Sequence, residues 1–361
     1  MTLSENANDK LLSPKENGDE ESPELEVRQH VVTRRQAGKR LDKYLADRYP
    51  LLSRTVLQRF IRQGLVTVNA MPSKPSYEPT EEDVIEISLP PPPPSELAPF
   101  YLPLDILYED DWLLAINKPA GVVCHPANLT QTNTIANAAV FYARSLSAGS
   151  DPFRPGILHR LDKNTTGVML IAKTDEAHWR IALQFERRTV RKEYFAVCQG
   201  ELPLDGDVIN KPLAAHPSTT QRMVLPGPSP IRLHEPPRQA MFKEAITEYK
   251  VQKRYRGYTA VALFPRTGRT HQLRVHMASI GHPIAGDVLY GGRPVSEKGL
   301  TGSGEEAPFL SHQALHARRI RFVHPIHERP MEIEAPLPDD IRRIIELLDA
   351  HRPRGGDPTA R

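Results

Sequence analysis

The chain has 361 residues, 39% of them hydrophobic, a mean hydropathy of −0.46 and a formal net charge of +3, enough for a large core and more than one domain. No apolar run approaches the roughly 18 residues that span a bilayer, and the start MTLSENANDK has no basic segment followed by an apolar one, so neither a membrane protein nor a secretory signal is expected. Two cysteines, Cys124 and Cys198, are too few for a disulfide framework and fit a reducing compartment, so the expected location is the cytoplasm.

The charge is unevenly placed. Residues 1–27 carry eight acids against Lys10 and Lys15, a net of −6. Residues 28–76 carry eleven Lys and Arg against Asp42 and Asp47, a net of +9. The acidic segment is nearly free of large apolar side chains and cannot bury enough surface to fold, so residues 1–29 read as a disordered tail.

Residues 30–89 place their charge on a foldable pattern. Leu41, Tyr44 and Leu45 recur at helical spacing, and Ser53 stands as N-cap of a second helix with Val56, Leu57, Phe60 and Ile61 on its apolar face. Gly64 ends that helix, and residues 66–69 and 84–89 alternate like short strands. Lys39, Arg40, Lys43, Arg54, Arg59 and Arg62 occupy the polar faces. That is the footprint expected of a phosphate-backbone contact, or equally of an ordinary solvated basic surface.

Residues 90–94 are five consecutive prolines. Proline blocks helix and central strand alike, so residues 90–103 read as a polyproline spacer between domains. A second unit is expected over 104–351, followed by a disordered tail over 352–361. It opens with strand, acidic turn and strand across 106–118, then a Pro-Gly loop. Residues 134–147 read as a helix faced by Ile135, Ala138, Ala139 and Tyr142.

The turn His159-Arg160-Leu161-Asp162-Lys163-Asn164-Thr165-Thr166-Gly167 then runs into the apolar stretch 168–172. Five residues are too few for a helix, so a buried strand is expected there. By spacing alone, Asp162 is a site carboxylate held rigidly by the turn, or simply the cap of that turn. A helix around 176–187 and a strand at 195–197 follow, with Tyr194 at the strand's start behind a cationic cluster. Residues 212–240 hold seven prolines and no recognisable element. A strand at 258–264 precedes a helix with Leu273, His276, Met277 and Ile280 on one side, ending at Gly281. His271 and His276 stand five apart without a third ligand at metal spacing, and no Gly-x-x-x-x-Gly-Lys loop is present, so neither a zinc site nor a nucleotide site is expected.

Three of these stretches, in order, resemble one family. His-Arg-Leu-Asp-x-x-Thr-Thr-Gly is similar to the signature of the RluA-type pseudouridine synthases. Residues 106–121 resemble the family's first motif, Lys192-Glu193-Tyr194 its tyrosine motif, and RTGRTHQLRVHMASIGHPIAGDVLYGG its third. KRLDKYLADRYPLLSRTVLQRFIRQGLVTVNA resembles an S4 RNA-binding domain, which tilts the basic face toward RNA. Ala70 and Glu82 depart from it, standing where such domains carry Gly, so differently shaped turns are expected.

The resemblance, which covers residues 35–350, implies an α+β fold with a mixed, largely antiparallel sheet behind a small α/β S4-like domain. It implies isomerisation of uridine to pseudouridine, with no cofactor and no metal. Asp162 would be the catalytic carboxylate, acting as nucleophile at the sugar or as base on the 2′ proton. Tyr194 would stack on the base near the proton transfer, and Arg274 would pair with Asp162 and orient it. The uridine would be flipped into the pocket, with Arg160 filling the space left or gripping flanking phosphates. Late segments at 313–317, 324–325 and 335–338 resemble members that act on large-subunit ribosomal RNA, making that RNA or a pre-ribosomal particle the expected partner of a monomer. Two rivals stand beside this reading: an inactive RNA-binding assembly factor, and a glycosidase, which needs a second acid near Asp162.

Overall fold

The computed structural model describes residues 26–354 except 35, 50–53, 90–96, 127–131, 144–145, 148–153, 217–222 and 227–240. Ser53, the five prolines, and residues 1–25 and 355–361 of the expected tails lie outside the described residues. The chain divides into two compact units, residues 1–93 and 94–361.

The first unit contains β1 (Glu26–Val31), α1 (Leu41–Arg48), α2 (Arg54–Arg62), β2 (Val66–Val68), β3 (Met71–Pro72) and β4 (Val84–Leu89). Its strands form an antiparallel sheet in the order β1-β4-β2-β3. Leu41, Tyr44, Leu45, Leu57, Phe60 and Ile61 bury against Val66, Val68, Ile85 and Ile87, so the helical spacing marks the core correctly.

Strand β1 corrects the sequence reading, because it begins inside the segment expected to be a tail to residue 29. It is held by backbone pairing to β4 from Glu26↔Leu89 to Val31↔Val84, while Val27 and Val31 are 55% and 59% exposed. A strand that contributes ladder hydrogen bonds but little apolar burial leaves no hydropathy signal. Ala70 and Glu82 take φ +62° and +73°, left-handed backbone without glycine.

The second unit contains β5 (Ile106–Glu109), β6 (Leu113–Lys118), α3 (Ile135–Tyr142), β7 (Thr166–Ala172), α4 (Asp175–Glu186), β8 (Arg191–Gln199), β9 (Gly206–Asn210), β10 (Ala214–Ala215), β11 (Met223–Val224), β12 (Ile246–Tyr255), β13 (Tyr258–Pro265), α5 (Gln272–Ser279), β14 (Val295–Ser296), α6 (Glu297–Thr301), β15 (Pro308–Leu310), β16 (Leu315–Val323), β17 (Pro330–Glu334) and α7 (Asp339–His351). The main sheet runs β5-β6-β7-β16-β8-β13-β12-β9, with β17 also on β16. Among the described residues only β7 and β16 pair in parallel; the other pairings of this sheet are antiparallel. The fold is thus α+β with a mixed, mostly antiparallel sheet.

Strand β7 is buried at every residue because both its faces are covered. Val168, Leu170 and Ala172 pack with Ala177 and Ile181 of α4, while Met169 and Ile171 pack with Ile135 and Ala139 of α3. Gly167, at φ +110°, lets β7 and β16 approach: a Cβ there would lie 2.2 Å from the Ala317 carbonyl oxygen.

Four further expectations in this unit are corrected. Helix α3 stops at Tyr142, since Ala143 turns extended (φ −93°, ψ 134°), and Tyr142 is an exposed donor to Glu109 rather than core. Tyr194 lies within β8, three residues past its start. The stretch 212–240 contains the paired strands β10 and β11, with Leu213, Val224 and Leu225 buried, so a hairpin of two-residue strands was hidden among prolines. Residues 352–354 are packed rather than a tail: Arg352 donates to the carbonyls of Leu300, Arg256 and Gly299, and Pro353 bridges Tyr255.

Helix α5 was expected to bury one face. All eight of its residues are buried, Arg274 and His276 included, because it is packed on all sides. Its polar groups are accordingly satisfied. His276 Nε2 donates to the Lys211 carbonyl at 2.9 Å and its Nδ1 lies 2.9 Å from Thr247 Oγ1.

Candidate active site

The catalytic turn candidate is built before it is functional. Lys118, fully buried at the end of β6, donates from Nζ to the carbonyls of Pro119, Lys163 and Thr165 at 2.7, 2.9 and 3.1 Å. Three acceptors match the three protons of an ammonium, although burial lowers its pKa to about 8 against the pull of Cys124 and Asp162. Cys124 Sγ exchanges hydrogen bonds with the Leu161 backbone at 3.2 Å, and Gln313 donates to Thr165 Oγ1 at 3.1 Å. Both cysteines are free and buried. His159 accepts the Leu170 N–H at 2.9 Å, and burial, with Lys192 nearby, keeps it neutral with a pKa of about 3.

Asp162, 18% exposed at the side chain, opens into a cleft lined by Arg160, Lys192, Tyr194, His271 and Arg274 among others. The three residues expected at a catalytic centre therefore share one cleft, although 112 positions separate Asp162 from Arg274. Arg274 Nη1 donates to Asp162 Oδ2 at 3.2 Å. The rest of that guanidinium is taken by Asp287, 1% exposed, through Nε at 2.7 Å and Nη2 at 2.8 Å. Burial opposes the charge on Arg274, but the bonds to Asp287 and then Asp162 raise its pKa well above the usual range. Burial, and next the Asp162 charge, likewise hold the Tyr194 phenol protonated.

Sequence reasoning missed four groups at the site: His271 and Lys192 line the cleft, while Asp287 and Tyr290 are buried against its lining residues Arg274 and His271. Asp287 and Tyr290 lie within the quoted GDVLY run, but nothing in a linear pattern pairs Asp287 with Arg274. His271 was weighed only as a metal ligand. Lys192, whose pKa burial lowers, lines the cleft with no hydrogen-bond or ion-pair partner among the described residues.

The six expected RNA-contacting cations are not equivalent. Lys39 pairs with Asp47 at 3.1 Å. Arg40 and Arg54 both grip Asp42, which is fully buried and also accepts from Gln58 at 2.6 Å. Burial would raise the Asp42 pKa, but the bonds from Arg40, Gln58 and Arg54 hold it near 2. Lys43, Arg59 and Arg62 are exposed on α1 and α2 without an ion pair among the described residues.

One cluster has metal-ligand chemistry among the described residues: Asp110, His324 and His327. Two of its three members are already engaged. Asp110 accepts from Tyr108, His324 and two backbone N–H groups, and His324 Nδ1 accepts the N–H of Ile326 and His327. Asp110 and His324 thus read as a structural hydrogen-bond network against which the exposed His327 ring packs.

The sequence model of the RNA pseudouridylate synthase family matches residues 112–279, and that of the S4 domain matches residues 39–85. The chain is 38% identical over 317 residues to the ribosomal large subunit pseudouridine synthase D of Pasteurella multocida, covering 87% of this chain and 93% of that one. It is 36% identical over 327 residues to the protein of the same name from Escherichia coli K12, covering 89% and 94%. Among solved structures, human RNA pseudouridylate synthase domain containing 4 aligns with a TM-score of 0.49 and 26% identity over 68% of this chain and 92% of that one.

Proposed function

We propose that this chain, which belongs to the RNA pseudouridylate synthase family and is an RNA pseudouridine synthase, converts uridines of large-subunit ribosomal RNA, with Asp162 as its catalytic carboxylate. The observation that carries the assignment of Asp162 is its contact with Arg274. The guanidinium donates a charge-assisted hydrogen bond to this cleft carboxylate and is itself locked by Asp287. The names of the relatives, and a first unit with S4 character, support a ribosomal RNA substrate.

A uridine flipped from its helix presents C1′ to the cleft. Asp162 attacks C1′ or removes the 2′ proton; either way the N1–C1′ bond opens and the uracil stays in the pocket to rebond through C5. Tyr194 gives the base a ring to stack on, and Arg274 keeps the carboxylate aimed. Arg160, exposed at the cleft mouth, contacts the flanking backbone or the gap left by the base. Isomerisation needs no net redox change and no phosphoryl transfer. We place the enzyme in the cytoplasm as a monomer. Among the described residues, no helix is long and apolar enough to cross a membrane.

The runner-up, an inactive assembly factor, would bind the same RNA but has no use for a carboxylate held this way. Asp162→Asn keeps the size and most turn hydrogen bonds. Pseudouridine mapping on unmodified large-subunit ribosomal RNA should find conversion by the wild type and none by this variant, at equal RNA affinity. Normal conversion by Asp162→Asn removes the assignment.

A further inference from the structure

His271 stands beside Asp162 without a task in the scheme above. It precedes α5 at φ +53°, in the left-handed region where a histidine is strained. Tyr290, fully buried, lies 2.8 Å from its Nδ1. The Tyr290 oxygen already accepts the Met223 N–H at 2.9 Å, so the phenol proton must be donated, and His271 Nδ1 is the acceptor it has among the described residues. Burial raises the Tyr290 pKa to about 12 and lowers that of His271, which keeps the phenol protonated and the imidazole neutral. The ring is thereby fixed as the tautomer with a proton on Nε2. That nitrogen lies 3.9 Å from Asp162 Oδ2, near the carboxylate but beyond hydrogen-bond reach of it, so the donor is oriented and unused.

The pseudouridine reading, on which this inference rests, supplies the acceptor. When N1–C1′ breaks, the bond pair stays on the uracil and spreads over N1 and its neighbour O2. The base then makes a half-turn about the axis through N3 and C6, so that C5 replaces N1 and O4 replaces O2. C5 bonds to C1′ and gives up its proton while N1 gains one, and the isomerisation balances. Asp162 works at C1′ or C2′, so a donor at its edge reaches the carbonyl flanking the glycosidic bond, which is O2 before the turn and O4 after it.

We propose that His271, held as an Nε2–H donor by Tyr290, is a further catalytic group that hydrogen-bonds this carbonyl and stabilises the negative charge of the departing uracil. The same donor serves both halves of the reaction, because the half-turn exchanges two equivalent carbonyls in front of it.

The test uses the full chain in single turnover on an RNA oligonucleotide carrying its mapped target as uridine or as 2-thiouridine, whose sulfur accepts hydrogen bonds poorly. His271→Phe should slow the uridine reaction about 10²-fold, the usual cost of one such donor. It should also lose the wild-type ratio between uridine and 2-thiouridine rates, with RNA affinity kept. His271→Gln, which retains an N–H, should stay within about tenfold of wild type. A His271→Phe rate within about threefold of wild type, or an unchanged rate ratio, overturns the proposal. Should that variant not fold, Tyr290→Phe read on the same two RNAs decides it, with an unchanged ratio again the overturning result. An inactive Asp162→Asn in the same assay confines such a failure to His271.

Discussion

Arg274 is bound more closely to Asp287 than to Asp162: two of its nitrogens lie 2.7 and 2.8 Å from the buried Asp287, and the third lies 3.2 Å from the cleft carboxylate. One guanidinium is therefore shared between a carboxylate that anchors it and one that it orients. The fork geometry makes this division possible, since an ammonium is a single point of charge.

Arg274→Lys restores charge without the fork and should lower the single-turnover rate about 10²-fold at unchanged RNA affinity, because a carboxylate misplaced by an ångström costs that much. Arg274→Met should behave differently, losing about 3–5 kcal/mol of stability as Asp287 is left buried and unpaired. Asp287→Asn weakens the anchor of the guanidinium, so the single-turnover rate should fall at unchanged RNA affinity. Stability of Arg274→Met equal to wild type in urea unfolding would show that Asp287 does not depend on Arg274.

Lys43, Arg59 and Arg62 carry exposed charge that no acid among the described residues pairs with, whereas Arg54 is committed to Asp42. Reversing Lys43, Arg59 and Arg62 to Glu should weaken RNA binding and reduce the slope of log affinity against log salt by at least about 2, since each phosphate contact contributes roughly 0.7–0.9. Arg54→Ala should cost about 1–2 kcal/mol of stability by stripping hydrogen bonds from a buried carboxylate. Its effect on affinity should be smaller. Titrations at three salt concentrations separate the outcomes; an unchanged slope in the triple variant excludes this face as the RNA contact.

His276 gives the fold an acid-side weakness. Its pKa is lowered from 6.5 to about 4 by burial, with Lys211 nearby. The unfolded chain therefore binds a proton that the folded chain refuses between those values, and stability falls as pH drops from 6.5 toward 4. The loss is bounded at about 3 kcal/mol for this group. His276→Gln should flatten the dependence of the unfolding midpoint on pH in that window by about one proton. An identical slope in the variant would assign the weakness to other groups.

Ala70 and Glu82 hold φ of +62° and +73° with a Cβ present. Replacing either by Gly should stabilise the first unit by about 0.5–1 kcal/mol, strain relief exceeding the added entropy of the unfolded chain. Urea unfolding of both variants checks this, and a loss of stability would mean that the side chains compensate elsewhere.

Local pattern alone determined a good deal of this protein. The apolar spacing of Leu41, Tyr44, Leu45, Leu57, Phe60 and Ile61 marks a core face, since a helix must bury one stripe. The run from Val168 to Ala172 marks a strand covered on both faces, and the turn before it singles out Asp162. Tertiary structure alone decided the rest. Strand β1 is held by hydrogen bonds to β4 more than 50 positions away, and backbone pairing carries no hydropathy period. Helix α5 has one apolar side in sequence but is buried all round, because its polar residues find partners on β12 and beyond. The Arg274–Asp287 and His271–Tyr290 contacts, and the neutralisation of Lys39, Arg40 and Arg54, depend on which side chains meet in space. Spacing along a chain records what one helix or strand must bury, whereas charge pairing and tautomer choice follow from distances that only the packed fold creates.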